Sequence, residues 1–248
     1  MELAEYQVMA AVEDRHWWSG GIRAISAALI AGALAGRRDL AILDAGCGTG
    51  ANIRFLQRYG HVQGIDIAAL ALQLSAGRVE APLARASVLE LPFADASFDL
   101  VTSFYVLYHR AVPDETVALR EAARVLRPGG WLLLAMPAYE FLRSKHDRLV
   151  HTRRRYTRVQ VDAMVRASGF TPVRSTYATT LLFPLSLAQR LLEQAAPQLE
   201  ARDSDLAPPP ALLNEALRWP MAAEAAWIGR GGTLPFGLSI FCLAQLRG

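Results

Sequence analysis

The sequence predicts an α/β fold, a doubly wound and mostly parallel sheet with helices on its faces. Three observations predict it. Between residues 40 and 136 short apolar runs alternate with helical stretches, the pattern of repeated strand–helix–strand units. A glycine-rich turn, "DAGCGTG", joins the first run to a helix. Runs such as "SFDLVTSFYVL" are nearly continuous in apolar residues, which suits strands covered on both sides.

Each element follows in order. Residues 2–16 and 22–35 read as helices, the second rich in Ala, Leu and Ile, with "HWWSGGIR" between them. "LAILDAG" is a buried strand with a sharp stop. Residues 51–59 are helical and "HVQGID" is the second strand. "LALQLSAG" is a helix stopped at Gly77, a residue that ends helices. "APLARAS" and "SFDLVTSFYVL" are the third and fourth strands, residues 114–126 a helix closed by "RPGG", and "WLLLAMP" the fifth strand. The rhythm then breaks. Residues 138–157 read as a polar loop, 158–168 as a helix, and "FTPVRSTYA" as the sixth strand. Residues 180–230 read as a mostly helical insertion with a loop at "DLAPPP", where prolines forbid a helix. "PFGLSIFCLAQL" is the last strand, expected to run antiparallel.

Composition narrows the function. The 248 residues are 52% hydrophobic, enough for a sizeable core. The net charge is only +3 and Lys145 is the single lysine. No basic stripe interleaved with aromatics appears, so no nucleic-acid partner is expected. Cys47 and Cys242 lie far apart with no metal spacing, which points to a reducing cytoplasm and to no metal site. No apolar run reaches the roughly 18 residues that a membrane span needs. "TTLLFPLSLA" is apolar but short, and it leaves room for a peripheral lipid contact.

The glycine turn carries the first chemistry. Gly46, Gly48 and Gly50 lack side chains, so a ligand can approach the backbone. The helix that follows offers unpaired N–H groups. Asp66 ends the second strand, where a carboxylate can accept bonds from both ribose hydroxyls of a nucleoside cofactor. Asp44, just before the glycines, would repel a pyrophosphate and welcome an ammonium. A bare Gly-x-Gly spacing also fits a dinucleotide, and an NAD-linked oxidoreductase is the rival it leaves.

"ILDAGCGTG", "GIDIA", "LPFADASFDLV" and "RVLRPGGWLLLAMP" occur in that order over residues 40–137. Together they resemble the class I methyltransferases that use S-adenosylmethionine (SAM). The resemblance implies a Rossmann-like, seven-stranded sheet with an antiparallel last strand. It implies SAM contacts at Asp44, Ala45, Gly46, Cys47, Gly48, Gly50 and Asn52, and at Asp66, Ile67, Ser87, Val88, Leu89 and Phe104. Asp44 would face the methionine ammonium through water, and Asp66 would hold the ribose. Many relatives carry Asp where this chain has Ser87. "EDRHWW" with Arg23, "PAYEFLRSKHD", "RRYTR", "LLFPL", "LNEAL" and "LPFGLS" resemble a bacterial subgroup of the same enzymes. Two departures stand out: Ile22 replaces an arginine, and Thr152 stands where the subgroup has His, with His151 one place earlier.

On this reading 1–248 is a single domain. Residues 1–36 form a helical lid, 40–137 the SAM-binding core, and 138–157 and 180–232 insertions on the substrate side. Trp18 is expected to lid the cofactor and Arg23 to pair with its carboxylate; the alternative is that Trp17 and Trp18 pin the first helix to the sheet. Ligands sit beyond the carboxyl ends of such strands, which places Tyr105, His109, Tyr139, His151, Arg154 and Tyr156 toward the acceptor. His109 suits a general base near neutrality, or part of the pocket wall. The arginines of "HDRLVHTRRRY" form either an anion clamp or a solvated face paired with Asp147 and Asp162. The expected activity is methyl transfer to O or N of a small or lipid-linked acceptor with an anionic group, by a monomer or homodimer. A SAM-binding module without catalysis is the alternative from another class.

Overall fold

In the computed structural model, residues 2–34, 36–195 and 209–247 are described. Seven strands form one sheet: β1 (Leu40–Ala45), β2 (Gly60–Asp66), β3 (Leu83–Arg85), β4 (Phe98–Phe104), β5 (Leu126–Pro137), β6 (Phe170–Ala178) and β7 (Ser239–Leu246). Their spatial order is β3-β2-β1-β4-β5-β7-β6. The pairs β1–β2, β1–β4, β2–β3 and β4–β5 are parallel, and β7 runs antiparallel to both β5 and β6. The mostly parallel sheet with an antiparallel last strand is therefore present as the sequence predicts. The order reverses at β1, and that is where such sheets open a crevice.

Two hydrophobic layers cover the sheet, and the alternation of side chains along each strand sorts residues between them. Leu40 and Ile42 of β1 face one layer, with Leu133 and Ala135 of β5 and Phe241 and Leu243 of β7. Leu43 and Ala45 face the other, with Leu132 and Leu134, and with Cys242 and Ala244. The first layer is closed by α2 (Trp17–Ala33), α3 (Ala51–Leu56) and α9 (Ala211–Gly229). The second is closed by α5 (Glu115–Val125) and α7 (Arg158–Ala167). Asp114 caps α5 by accepting from the Thr116 amide at 2.8 Å, and Thr157 with Gln160 forms a capping box on α7.

Several boundaries differ from the sequence expectation. The first helix, α1 (Leu3–Val12), ends early and α2 begins at Trp17. "WWSGGIR" is thus helical rather than a linker. Two glycines weaken a helix, but Gly21 is needed for packing: a Cβ there would lie 2.4 Å from Met221 of α9. "RPGG" belongs to β5, where the register slips, with Phe98 opposite Leu126 and Leu100 opposite Trp131. Residues 138–157 hold a turn of 3-10 helix (Glu140–Leu142) and α6 (Lys145–Leu149). The 180–230 stretch holds α8 (Phe183–Ala195) and α9, while most of "DLAPPP" lies outside the described residues. The remaining helix, α4 (Ala69–Ala76), connects β2 to β3. No helix among the described residues is long and apolar enough to cross a membrane.

Candidate active site

A cavity of about 930 Å³ opens beyond the carboxyl ends of β1, β2 and β4. Its floor is the glycine turn. The Gly46 and Cys47 amides donate to the Ile65 carbonyl at 2.9 and 2.8 Å, which ties the turn to β2. Gly46 has φ of 91°, and a Cβ there would lie 2.2 Å from the Val106 side chain. Only glycine meets both conditions without strain. Asp66 braces the same turn, accepting from the Gly48 amide at 3.0 Å and from the Ala68 amide at 2.9 Å. Burial raises the Asp66 pKa, while these amide bonds oppose the rise.

Asp44 is sealed beneath the turn. One carboxylate oxygen accepts from the Thr102 hydroxyl at 2.7 Å. The other is buried without a hydrogen-bond partner among the described residues. Burial pushes its pKa up to about 7, and the nearby Asp66 and Glu13 charges add to the rise.

The N-terminal helices wall one side. Trp17, Trp18 and Arg23 all line the cavity, although a single tryptophan was expected to turn toward it. The Trp18 ring packs on Tyr105 with centroids 4.9 Å apart. Arg23 donates to the Glu13 carbonyl at 3.1 Å. Glu13 also binds Arg78 and the Thr49 hydroxyl, and Asp14 binds Arg54 and Arg78. This cluster fastens the end of α1 to the turn that the glycines build.

The far end is built from the segments after β4 and β5. Tyr105 takes a positive φ of 57° and donates its hydroxyl to Ser239 at 2.7 Å. His109 accepts a hydrogen bond at Nδ1 from the Ala111 amide at 3.0 Å. The His151 ring lies 5.6 Å from it. Arg155 grips Asp147 through two bonds of 2.9 and 3.0 Å, and donates a third to the Ala138 carbonyl at 3.1 Å. Burial alone would raise the Asp147 pKa, but the Arg155 guanidinium holds it below the usual carboxylate range.

The structure brings most of the sequence candidates to one wall. Trp18, Arg23, Gly46, Cys47, Gly48, Asn52, Asp66, Ile67, Ser87, Val88 and Phe104 line the cavity, with Tyr105, His109 and His151 opposite. It leaves Asp44, Ala45, Gly50 and Leu89 off the wall. Three acceptor-side candidates also go elsewhere. Tyr139 stacks on Tyr177 and Phe141, each at 5.2 Å. Tyr156 is buried and donates its hydroxyl to Glu115, and Arg154 pairs with the same carboxylate. Glu115 is itself buried in the first turn of α5, so its charge draws Arg153, Arg154 and Tyr156 away from the cavity. Among the arginines of that run it is Arg155 that reaches the wall. Tyr6, Met9 and Glu13 of the N-terminal segment line it too and were not foreseen. Their spacing of three and four places them on one helical face, a signal the sequence did hold. Among the described residues, no three His, Cys, Asp or Glu side chains group to hold a metal.

Residues 43–134 match the family described as methyltransferase domain. The matched stretch runs from β1 into β5 and includes the glycine turn and Asp66. A demethylmenaquinone methyltransferase of Staphylococcus aureus (strain MRSA252) is 39% identical to this chain over 105 residues, 39% of this chain and 43% of that protein. The chain thus matches less than half the length of the curated relatives it resembles. Phosphoethanolamine N-methyltransferase 2 of Haemonchus contortus, solved with SAM, superposes with a TM-score of 0.57 at 18% identity, covering 86% of this chain and 50% of that one. YcgJ of Bacillus subtilis gives 0.58 at 18% identity, covering 90% and 97%. At these identities the likeness to the solved structures shows the fold.

The resemblance implies SAM as cofactor, and the residues present fit it. Asp44 holds a buried, unpartnered carboxylate oxygen below the turn, suited to an ammonium reached through water. Asp66 stands at the wall beside Gly46 and Gly48.

Proposed function

We propose that this protein is a SAM-dependent methyltransferase that transfers a methyl group to an oxygen or nitrogen of a small or lipid-linked acceptor that carries an anionic group. The observation that carries the reading is one continuous cavity. It runs from the glycine turn and Asp66 to Tyr105, His109, His151 and the Arg155–Asp147 pair. Bound SAM supplies an electrophilic methyl on a sulfonium with its leaving group in place. The protein has to align the acceptor and exclude water.

The roles follow from the contacts. Asp66 accepts from the ribose, and Arg23 neutralises the methionine carboxylate. The Trp18 and Tyr105 rings present electron-rich faces to the sulfonium. Arg155 has five N–H donors, of which three go to Asp147 and Ala138. Its other hydrogens face an acceptor carboxylate or phosphate, and Asp147 is a positioning residue that fixes the fork. His109 accepts the Ala111 amide at Nδ1, so its neutral ring carries hydrogen at Nε2. Burial also pushes its pKa down, so His109 serves the cavity wall rather than acting as the base that its residue type suggests. One relative is named for a demethylmenaquinone, which supports the lipid-linked part of this class and not the anionic group or the O or N position. In this reading residues 1–36 close over the cofactor, 40–137 hold it, and 138–157 and 180–232 enclose the acceptor.

Incubation with methyl-labelled SAM and a cell extract, separated into aqueous, organic and protein fractions, tests the proposal. Label in the aqueous small-molecule or organic fraction, lost in Asp66→Ala, supports it. Label confined to protein overturns the acceptor class. SAM binding without label in any fraction favours a non-catalytic SAM module.

A further inference from the structure

Helix α9, which reaches the cavity through Leu217, has an outer face the reaction does not use. The inner face of α9 is spoken for: Asn214, Met221, Glu224, Ala225 and Ile228 are buried, and Met221 meets Gly21 of α2. Its outer face carries Leu212, Ala216, Trp219, Ala223 and Trp227, spaced three to four residues apart along one side of the helix. Leu212 is 88% exposed and Trp219 78% exposed. Isolated exposed leucines are ordinary, but five apolar residues in a row along one helix face, two of them tryptophans, mark an interaction surface.

We infer that the outer face of α9 docks on an anionic lipid surface. Three observations select this occupant. The exposed tryptophans pair an apolar ring with a polar N–H, which suits the boundary between headgroups and acyl chains. The charges that flank the stripe favour an anionic surface. Arg218 and Arg230 lie on α9 and its C-cap. Glu215 is the one exposed acid among the described residues of α9, and Arg218 pairs with it. A two-fold contact between copies would set this excess positive charge against itself, whereas anionic headgroups neutralise it. Finally, α9 reaches the cavity from its other side, through Leu217. A lipid-linked acceptor would thus leave the bilayer beside the site that methylates it. This last point rests on the acceptor class proposed above; the surface itself does not.

Sedimentation with phosphatidylcholine vesicles, with and without phosphatidylglycerol, tests the inference on the full chain. The expected result is binding to the phosphatidylglycerol vesicles, with Trp fluorescence quenched by brominated lipid. A Leu212→Glu, Trp219→Glu double variant should bind at least about tenfold more weakly, with its melting temperature and SAM affinity unchanged. No sedimentation with either vesicle, or equal binding by the variant, overturns it. So does a dimer in light scattering that the double variant dissolves while vesicles are ignored. Vesicle binding needs neither SAM nor turnover. Absent methyl transfer with intact vesicle binding would therefore count against the catalytic reading alone.

Discussion

Asp44→Asn isolates the carboxylate beneath the glycine turn. Asparagine keeps the size and an oxygen for the Thr102 hydroxyl, and it removes the charge. In the folded chain burial pushes the Asp44 pKa from 3.8 up to about 7. At about 1.36 kcal/mol per unit, this shift amounts to ~4 kcal/mol in favour of the neutral form. Because the folded pKa is raised, the benefit is fully present below the unfolded value and is lost as pH rises through about 7. Urea unfolding of both proteins across that window should show the wild type losing ~4 kcal/mol relative to the variant. An ammonium ligand reverses the preference by pairing with the ionised form. Calorimetric SAM affinity of the wild type should therefore rise by up to about tenfold per pH unit until about pH 7. In Asp44→Asn it should stay flat, and above pH 7 it should be about 10–100-fold weaker than wild type. Parallel pH dependences for the two proteins, in both stability and SAM affinity, would refute the reasoning.

Three further outcomes are expected. Gly46→Ala forces a Cβ against Val106 at a φ of 91°, so melting should show a loss of about 1–3 kcal/mol together with weaker SAM binding; unchanged values for both would contradict the cradle. Tyr156→Phe removes the hydroxyl that serves buried Glu115. It should cost about 1–2 kcal/mol in denaturant unfolding and leave kcat/KM intact, whereas a large fall in kcat/KM at unchanged melting would return Tyr156 to the catalytic set. For His109, burial first, then the His151 and Arg110 charges, push the pKa down to about 4. Its neutral form supports folding above the ordinary His range, and that support is lost as pH falls through about 4. The pH–rate profile should then show no His109 limb near neutrality and His109→Gln should keep much of the rate. A limb near pH 6.5 that His109→Gln abolishes would make it the base.

The sheet was legible because β strands and their flanking helices write themselves in local pattern. Leu40 to Ala45, the glycine turn and Asp66 are close in sequence and fold as one unit, so spacing sufficed to assemble them. The start of α2 was misjudged because two glycines argue against a helix locally, and only the Met221 contact from a distant helix explains Gly21. The arginine run shows the same divide. Arg153, Arg154 and Arg155 are chemically alike in the sequence. Glu115, 38 to 40 positions away, takes the first two, and Asp147 holds the third at the cavity.

What the sequence by itself determined was therefore the sheet and the glycine turn, both built from neighbours whose spacing is their geometry. Tertiary structure decided which side chains reach the cavity. A buried carboxylate cannot stay unpaired, and which cation or hydroxyl it captures depends on elements that meet only when the chain is folded.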